Sequence, residues 1–171
     1  AQECREKKAR QELENAERAA TEGRFDDARD IYRHVFQQDL SYFHELFRES
    51  LRYLRAERWE EAVEKLDEAA QLCPRFADVQ NYLGVALAEQ NLFDEALAAL
   101  RRSVAINPDY LVAWLNLAYT AHATGRNTEA SEALARVLER EPDNAPALYL
   151  KQRLENDALE SSAADQAREH L

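Results

Sequence analysis

Small and large apolar residues recur along the chain with a step of 34 residues. The small member of the pattern is alanine, at Ala28, Ala62, Ala96 and Ala130. A large side chain follows four residues later, at Tyr32, Leu66, Leu100 and Leu134. An aromatic side chain precedes by three residues at Phe25, Trp59 and Phe93, with Asn127 as the exception. Because spacings of three and four residues place side chains on one helix face, each step contains a helix whose alanine marks its closest approach to a neighbour.

The breaks between helices follow the same step. Prolines stand at Pro74, Pro108 and Pro142, and Leu40 occupies the place where the first would be. Proline lacks an N–H, so it suits the first turn of a helix. The short turns inside the steps fall at Gly23, Glu57, Asn91 and Gly125. Each step therefore predicts two helices.

The pattern predicts an all-α protein with one array over residues 1–160. The predicted two-helix repeats are residues 9–42, 43–76, 77–110 and 111–144. Residues 145–159 have helical spacing and predict a helix that caps the last repeat. Residues 160–171 are polar, and we expect them to form a frayed tail.

The repeat resembles the tetratricopeptide repeat, whose pattern is W-x2-L-G-x2-Y, then A-x3-F, then P. The third repeat fits it best, with Leu83, Gly84, Leu87, Ala96, Leu100 and Pro108. The fourth fits nearly as well, the second departs at Glu49-Ser50, and the first is weakest, with Asn15-Ala16. The resemblance implies a right-handed superhelix of antiparallel helix pairs, an α-α solenoid that acts as a binding scaffold.

Composition narrows the classes of partner. The formal net charge of −11 argues against nucleic acid, because a phosphate backbone requires clustered Lys and Arg. It also argues against an anionic membrane surface, and no apolar run approaches the length of a membrane span. Cys4 and Cys73 have no metal or redox spacing, so we expect a reducing, cytoplasmic compartment. The chain begins at Ala1 without any Met, and we interpret it as trimmed from its native start.

The sequence contains no motif typical of catalysis. Three scattered glycines cannot build a nucleotide-binding loop. The histidines are far apart in the repeat register, at His34, His44, His122 and His170. The many carboxylates occupy helix starts and solvent faces, as in a charge-rich solenoid. We therefore expect no catalytic residue, no metal and no cofactor, and a protein that is not an enzyme.

The resemblance implies an inner groove that is lined by the first helix of each repeat. In the second repeat the candidate lining residues are His44, Phe47, Arg48, Leu51 and Leu54. Those of the third and fourth repeats are Asn81, Tyr82, Val85, Leu115, Asn116, Tyr119 and His122, and Tyr149 extends the row. Contiguous apolar strips of this kind mark interaction sites, so the groove predicts capture of an amphipathic helix or an extended segment. Arg48, Asn81, Asn116 and His122 are expected to hydrogen-bond the peptide backbone. Burial of part of the strip as core remains the alternative.

One subgroup of the resembled family grips the C-terminal carboxylate of heat-shock chaperones with Lys, Asn and Arg. The corresponding positions here hold Leu13, Glu17, Asp78 and Tyr82, and only Asn116 resembles a member of that set. An acidic tail is therefore disfavoured, and the negative charge favours a basic or amphipathic protein partner. One alternative is a secretion-type chaperone. Another is a structural protein that self-assembles, which would make the chain a homo-oligomer. A third is the regulatory module of a larger enzyme or sensor.

Overall fold

The computed structural model describes the backbone of residues 2–169 and the side chains of residues 8, 10–37 and 40–160. Within these residues the chain forms eight helices and no strand. They are α1 (Gln2–Thr21), α2 (Phe25–Arg55), α3 (Trp59–Leu72), α4 (Ala77–Glu89), α5 (Phe93–Ile106), α6 (Leu111–Ala123), α7 (Asn127–Arg140) and α8 (Ala145–Glu169). The predicted all-α fold is confirmed. The side chain of Cys4 and residues 170 and 171 lie outside the described part.

The four predicted short turns share one backbone conformation. The residues at the 34-residue step all have positive φ: Gly23 (79°), Glu57 (55°), Asn91 (61°) and Gly125 (73°). In the second of these turns, Arg58 N donates to Tyr53 O at 3.0 Å and Glu57 N donates to Leu54 O at 3.1 Å. This pair of bonds is the Schellman motif, which satisfies the last carbonyls of a helix. The chain thus reverses direction by the same local chemistry at each step.

The connection between one repeat and the next recurs only where proline is present. Cys73, Asn107 and Glu141 end α3, α5 and α7, each with φ near −130°, and a proline follows each of them. At the first equivalent place the chain has Leu40, and α2 continues from Phe25 to Arg55. Leucine keeps its N–H and has good helix propensity, so nothing local stops the helix there. The predicted boundary between residues 42 and 43 therefore lies inside one helix.

The chain divides into two compact units, Ala1–Arg48 and Glu49–Leu171. The first contains α1 and most of α2. Its buried apolar side chains are Ala16, Ala19, Ala28, Val35, Phe43 and Leu46. Among the described side chains of α1, the two buried ones are alanines, Ala16 and Ala19.

The second unit contains antiparallel helix pairs in sequence order. Helix α4 packs between α3 and α5, α6 between α5 and α7, and α8 follows on α7. The repeat alanines Ala62, Ala96 and Ala130 are fully buried. Gly84 shows how close the helices are, because a Cβ built there would lie 2.5 Å from Leu100 Cγ. The predicted role of small residues at the helix contact is confirmed.

Helix α8 packs on α7 and has polar residues where α6 has apolar ones. Ala147, Leu150 and Leu154 are buried in the core of the second unit. One step after Leu117, Ala118 and Ala121 of α6, however, α8 carries Lys151, Gln152 and Glu155. These three residues are exposed, and the capping role of residues 145–159 stays a prediction. The helix continues to Glu169, beyond the predicted end at residue 159. None of the helices in the described range combines the length and the apolar character that crossing a membrane requires.

Candidate functional site

The helices that open successive repeats of the second unit lie side by side. Helix α4 contacts α6, and α6 contacts α8. The core of the unit buries one side of α4 and leaves Asp78, Tyr82, Val85 and Glu89 outside it. Spacings of four, three and four residues place these side chains on one face. We call this side of α4, the matching side of α6 and the start of α8 the first-helix face.

Most predicted groove residues of the second unit lie on this face. The half-buried ones are Tyr82, Val85, Leu115, Asn116 and His122, whereas Tyr119 and Tyr149 are exposed. Leu51 and Leu54 are half-buried on the last turns of α2. The remaining predicted residues belong to the first unit, where His44 and Arg48 are exposed and the ring of Phe47 stacks on Phe43 at 6.0 Å.

Asn81 corrects the predicted site. Its side chain is only 1% exposed and takes part in a chain of hydrogen bonds. Asn116 Nδ2 donates to Asn81 Oδ1 at 2.9 Å, and Asn81 Nδ2 donates to the Tyr110 hydroxyl at 3.4 Å. A buried amide must find such partners, because an unpaired polar group in the core is costly. Asn81 is therefore buried beneath the face and is not accessible as the prediction required.

Tyr110 is the residue that sequence reasoning missed. It lies directly before α6, with its hydroxyl beside the carboxylate of Asp78 on α4. Burial, and after it the neighbouring Asp78 carboxylate, raise the pKa of Tyr110 well above its ordinary value, so the hydroxyl keeps its proton. Asn116 thus donates to Asn81, and Asn81 donates to Tyr110. The only signal in the sequence was an aromatic residue two places after Pro108.

Tyr119 joins α6 to the first turn of α8. Its hydroxyl donates to the carbonyl of Pro146 at 3.2 Å, which fixes the ring while leaving part of it in solvent. Tyr149 is one turn along α8 and is 58% exposed. An amphipathic aromatic residue of this kind provides apolar contact area at a small entropic cost. Both rings are exposed on the first-helix face.

His122 also differs from its predicted role. The side chain is only 14% exposed, and its Nε2 lies 3.7 Å from Asp157 Oδ2 on α8. Its buried Nδ1 has no hydrogen-bond partner among the described residues. His122 is therefore held between α6 and α8, and little of it reaches the surface where a peptide would lie. Leu115 is similar, because it packs partly against the core of the second unit.

The described side chains were compared with the requirements of a metal site. No group of three or more His, Cys, Asp or Glu side chains there is arranged to hold a metal ion. The long-range ion pairs instead connect neighbouring helices, as in the two-pronged contact of Arg101 with Glu129 on α7 at 2.7 Å. The chemistry that the first-helix face offers is apolar and aromatic contact beside the Asp78 carboxylate.

Comparison with known proteins points to a single repeat family. Two family models, both described as tetratricopeptide repeat, match residues 47–110 and 87–154. The chain is 34% identical over 96 residues to human Protein O-mannosyl-transferase TMTC1, a match covering 54% of this chain and 11% of that protein. This chain thus spans about a tenth of the length of that relative.

Solved structures share the fold. The first TPR of Spaghetti (RPAP3), bound to the HSP90 peptide SRMEEVD, superposes with a TM-score of 0.67 at 20% identity, over 70% of this chain and 94% of that one. MamA superposes with a TM-score of 0.67 at 24% identity, over 88% of each chain. At these sequence identities the superpositions show a shared fold and nothing further.

Proposed function

Because the chain belongs to the tetratricopeptide-repeat family, we propose that it is a non-catalytic scaffold whose first-helix face binds a peptide segment of a partner protein. The row of accessible aromatic and aliphatic side chains on adjacent first helices carries this proposal. Its members are Tyr82, Val85, Tyr119 and Tyr149. A large apolar area of this kind, left outside a well-packed core, is typical of an interaction site.

The proposed ligand is an amphipathic segment with basic residues. Apolar side chains of the ligand would contact Val85 and the rings of Tyr119 and Tyr149. The Asp78 carboxylate on the same face, together with the net charge of −11, favours the approach of a cation. Asn116 is half-buried and donates to Asn81, so it has one further N–H for the ligand backbone.

An acidic tail fits this face poorly. The HSP90 peptide in the neighbouring structure of Spaghetti ends in the acidic sequence EEVD. In this chain Asp78 and Tyr82 occupy positions where the chaperone-binding subgroup has carboxylate-gripping residues. A carboxylate next to Asp78 would be repelled, and that repulsion is a source of specificity.

The test is fluorescence anisotropy with two labelled probes, an amphipathic Lys/Leu peptide of about 18 residues and the peptide SRMEEVD. We expect the basic probe to bind and the acidic one to bind at least about tenfold more weakly. Tyr149→Lys and Tyr119→Lys should each lower the affinity for the basic probe at least about tenfold, because each places a charge in an apolar contact.

The matched control is Ala105→Lys, which adds the same charge at an exposed position of α5, away from the first-helix face. Tyr119→Phe is a second control, since it removes only the hydrogen bond to Pro146. If Ala105→Lys lowers the affinity for the basic probe as much as Tyr149→Lys does, net charge governs binding and the first-helix face does not. Tight binding of SRMEEVD would reject the proposed ligand chemistry.

A second candidate is that this array is the interaction module of a longer enzyme. The observation in its favour is the 34% identity to a segment of an O-mannosyl-transferase. Sequencing the transcript on both sides of this region would test it. A reading frame that continues into a catalytic domain supports the candidate, and stop codons on both sides count against it.

A further inference from the structure

A groove runs between α7 and α8 in the second unit. It encloses about 430 Å³ and has mostly apolar walls. The α7 wall includes Leu134, Ala135 and Leu138, and the α8 wall includes Lys151, Leu154 and Glu155. At about 100° per residue, Tyr149 points about 160° away from Lys151. This α7–α8 groove therefore lies on a different side of α8 from the first-helix face.

The α8 wall of the groove corresponds to a surface that α7 covers one repeat earlier. Lys151 stands one 34-residue step after Leu117 of α6. Glu155 stands one step after Ala121 of the same helix. Leu117 and Ala121 are buried in the core that α6 shares with α7. The equivalent side of α8 lacks such a cover, because Lys151 and Glu155 are exposed.

The α7 wall corresponds in the same way to a surface of α5. Ala135 stands one step after Arg101, and Arg101 contacts both carboxylate oxygens of Glu129 on α7. Ala135 itself is exposed. Both walls are thus equivalent to surfaces that meet α7 one repeat earlier. A helix in the groove would take the place of a second helix that packs on α8, which the described residues do not contain.

The charges and the exposed leucines of α8 fit a second copy of the same helix. Lys151 and Glu155 have opposite charges and are equally far from position 153. A two-fold axis there, with the two α8 helices antiparallel, places each Lys151 opposite Glu155 of the other copy. Leu148 (44% exposed) then lies beside Ala158 and Leu159 (69% exposed) of the other copy. A parallel pair would instead bring like charges together.

We propose that the chain forms a two-fold dimer in which α8 of each copy lies antiparallel in the α7–α8 groove of the other. Contact of Leu148 and Leu159 with the apolar walls supplies most of the affinity. Because Lys151 and Glu155 are exposed in the single chain, their pairing sets the direction and register of the two helices more than the affinity. All the residues in this contact belong to the second unit.

Sedimentation velocity on the full chain between about 1 µM and about 200 µM tests the dimer. We expect a species near twice the chain mass of 19.7 kDa. Leu148→Glu and Leu159→Glu should each raise the dimer dissociation constant at least about tenfold, because each places a charge in an apolar contact. The matched control Ala105→Glu adds the same charge at an exposed position of α5 and should leave the constant unchanged.

Two outcomes of this measurement would overturn the proposal. One is a chain that is monomeric at every concentration, which would leave the groove to a helix of another protein. The other is a dimer that neither leucine variant weakens.

Charge exchange tests the antiparallel register. Lys151→Glu and Glu155→Lys should each raise the dissociation constant at least about fivefold, since each leaves four like charges at the contact. An equimolar mixture of the two variants should recover a dimer about as tight as the native one, because every pair is then complementary. A chain that carries both substitutions should do the same. Single variants that dimerise as tightly as the native chain, or a mixture that stays monomeric, would contradict the register.

Tyr149→Lys separates this contact from the proposed peptide site. It should leave the dimer dissociation constant unchanged, because Tyr149 points away from the α7–α8 groove. Leu148→Glu, in turn, should not weaken binding of the basic peptide probe. If Tyr149→Lys weakens the dimer as much as Leu148→Glu does, the copies meet through the first-helix face and the α7–α8 arrangement is wrong.

Discussion

Gly84→Ala probes the closest helix contact in the second unit. An added Cβ would lie 2.5 Å from Leu100 Cγ, 2.9 Å from Leu100 Cδ2 and 3.1 Å from the carbonyl oxygen of Ala96. Cβ atoms do not approach other carbons so closely, so α4 and α5 must separate or Leu100 must leave its rotamer. Leu100 is fully buried, which leaves it little room to move.

Two opposing effects set the magnitude. Alanine is better than glycine inside a helix by about 1 kcal/mol. Overpacking of a well-packed core costs about 1–3 kcal/mol. Because the contact at Gly84 involves both a side chain and a backbone oxygen, we place the cost in the upper half of that range. The expected net change is a loss of about 1–2 kcal/mol of unfolding free energy, or roughly 2–8 °C in the melting temperature.

Urea denaturation followed by circular dichroism measures this loss, and a double-mutant cycle with Leu100→Ala identifies its origin. In the Leu100→Ala background the side-chain part of the clash is removed and only the contact with the carbonyl oxygen of Ala96 remains, so the cost of Gly84→Ala should fall by at least about 1 kcal/mol. Ala118→Gly, at the equivalent position of the next repeat, should destabilise by about 1–2 kcal/mol through lost propensity and lost packing. If Gly84→Ala alone raises the urea midpoint, α4 and α5 are farther apart than the structure shows, and the reasoning fails.

Three further predictions address a turn, an ion pair and the buried amide. Glu57→Gly should raise the unfolding free energy by about 0.5–1 kcal/mol, because φ is 55° there and glycine adopts it without strain; an unchanged or lower urea midpoint would contradict the turn geometry. The hydrogen bond from Arg101 lowers the pKa of Glu129, so the pair stabilises the fold above the unfolded pKa of Glu and is lost on acidification. Glu129→Gln should therefore cost about 0.5 kcal/mol at pH 7 and progressively less as the pH falls below the unfolded pKa of Glu, and a cost independent of pH would exclude this origin. Asn81→Leu should lower the unfolding free energy by about 1–3 kcal/mol, because Asn116 and Tyr110 lose a buried partner; a neutral result in thermal melts would show that this network contributes no stability.

The features that the sequence determined by itself are those produced by local chemistry. The 34-residue step placed the helices of the second unit, because helix periodicity and proline act on neighbouring residues alone. It also located the four turns with positive φ, although Glu57 and Asn91 replace glycine in two of them. The departure at Leu40 was visible in the sequence, and its consequence, one helix from Phe25 to Arg55, required the structure.

Tertiary structure alone decided which side chains of the first-helix face are accessible. Asn81 and Tyr119 both lie on the predicted face by helical spacing, yet Asn81 is buried beside Tyr110 and Tyr119 is exposed. Tyr110 entered the network from a loop, through a contact across 29 residues of sequence. Helical periodicity fixes the direction of a side chain about its own axis. Its burial and its partners depend on the distance and rotation of the neighbouring helices, which long-range packing sets.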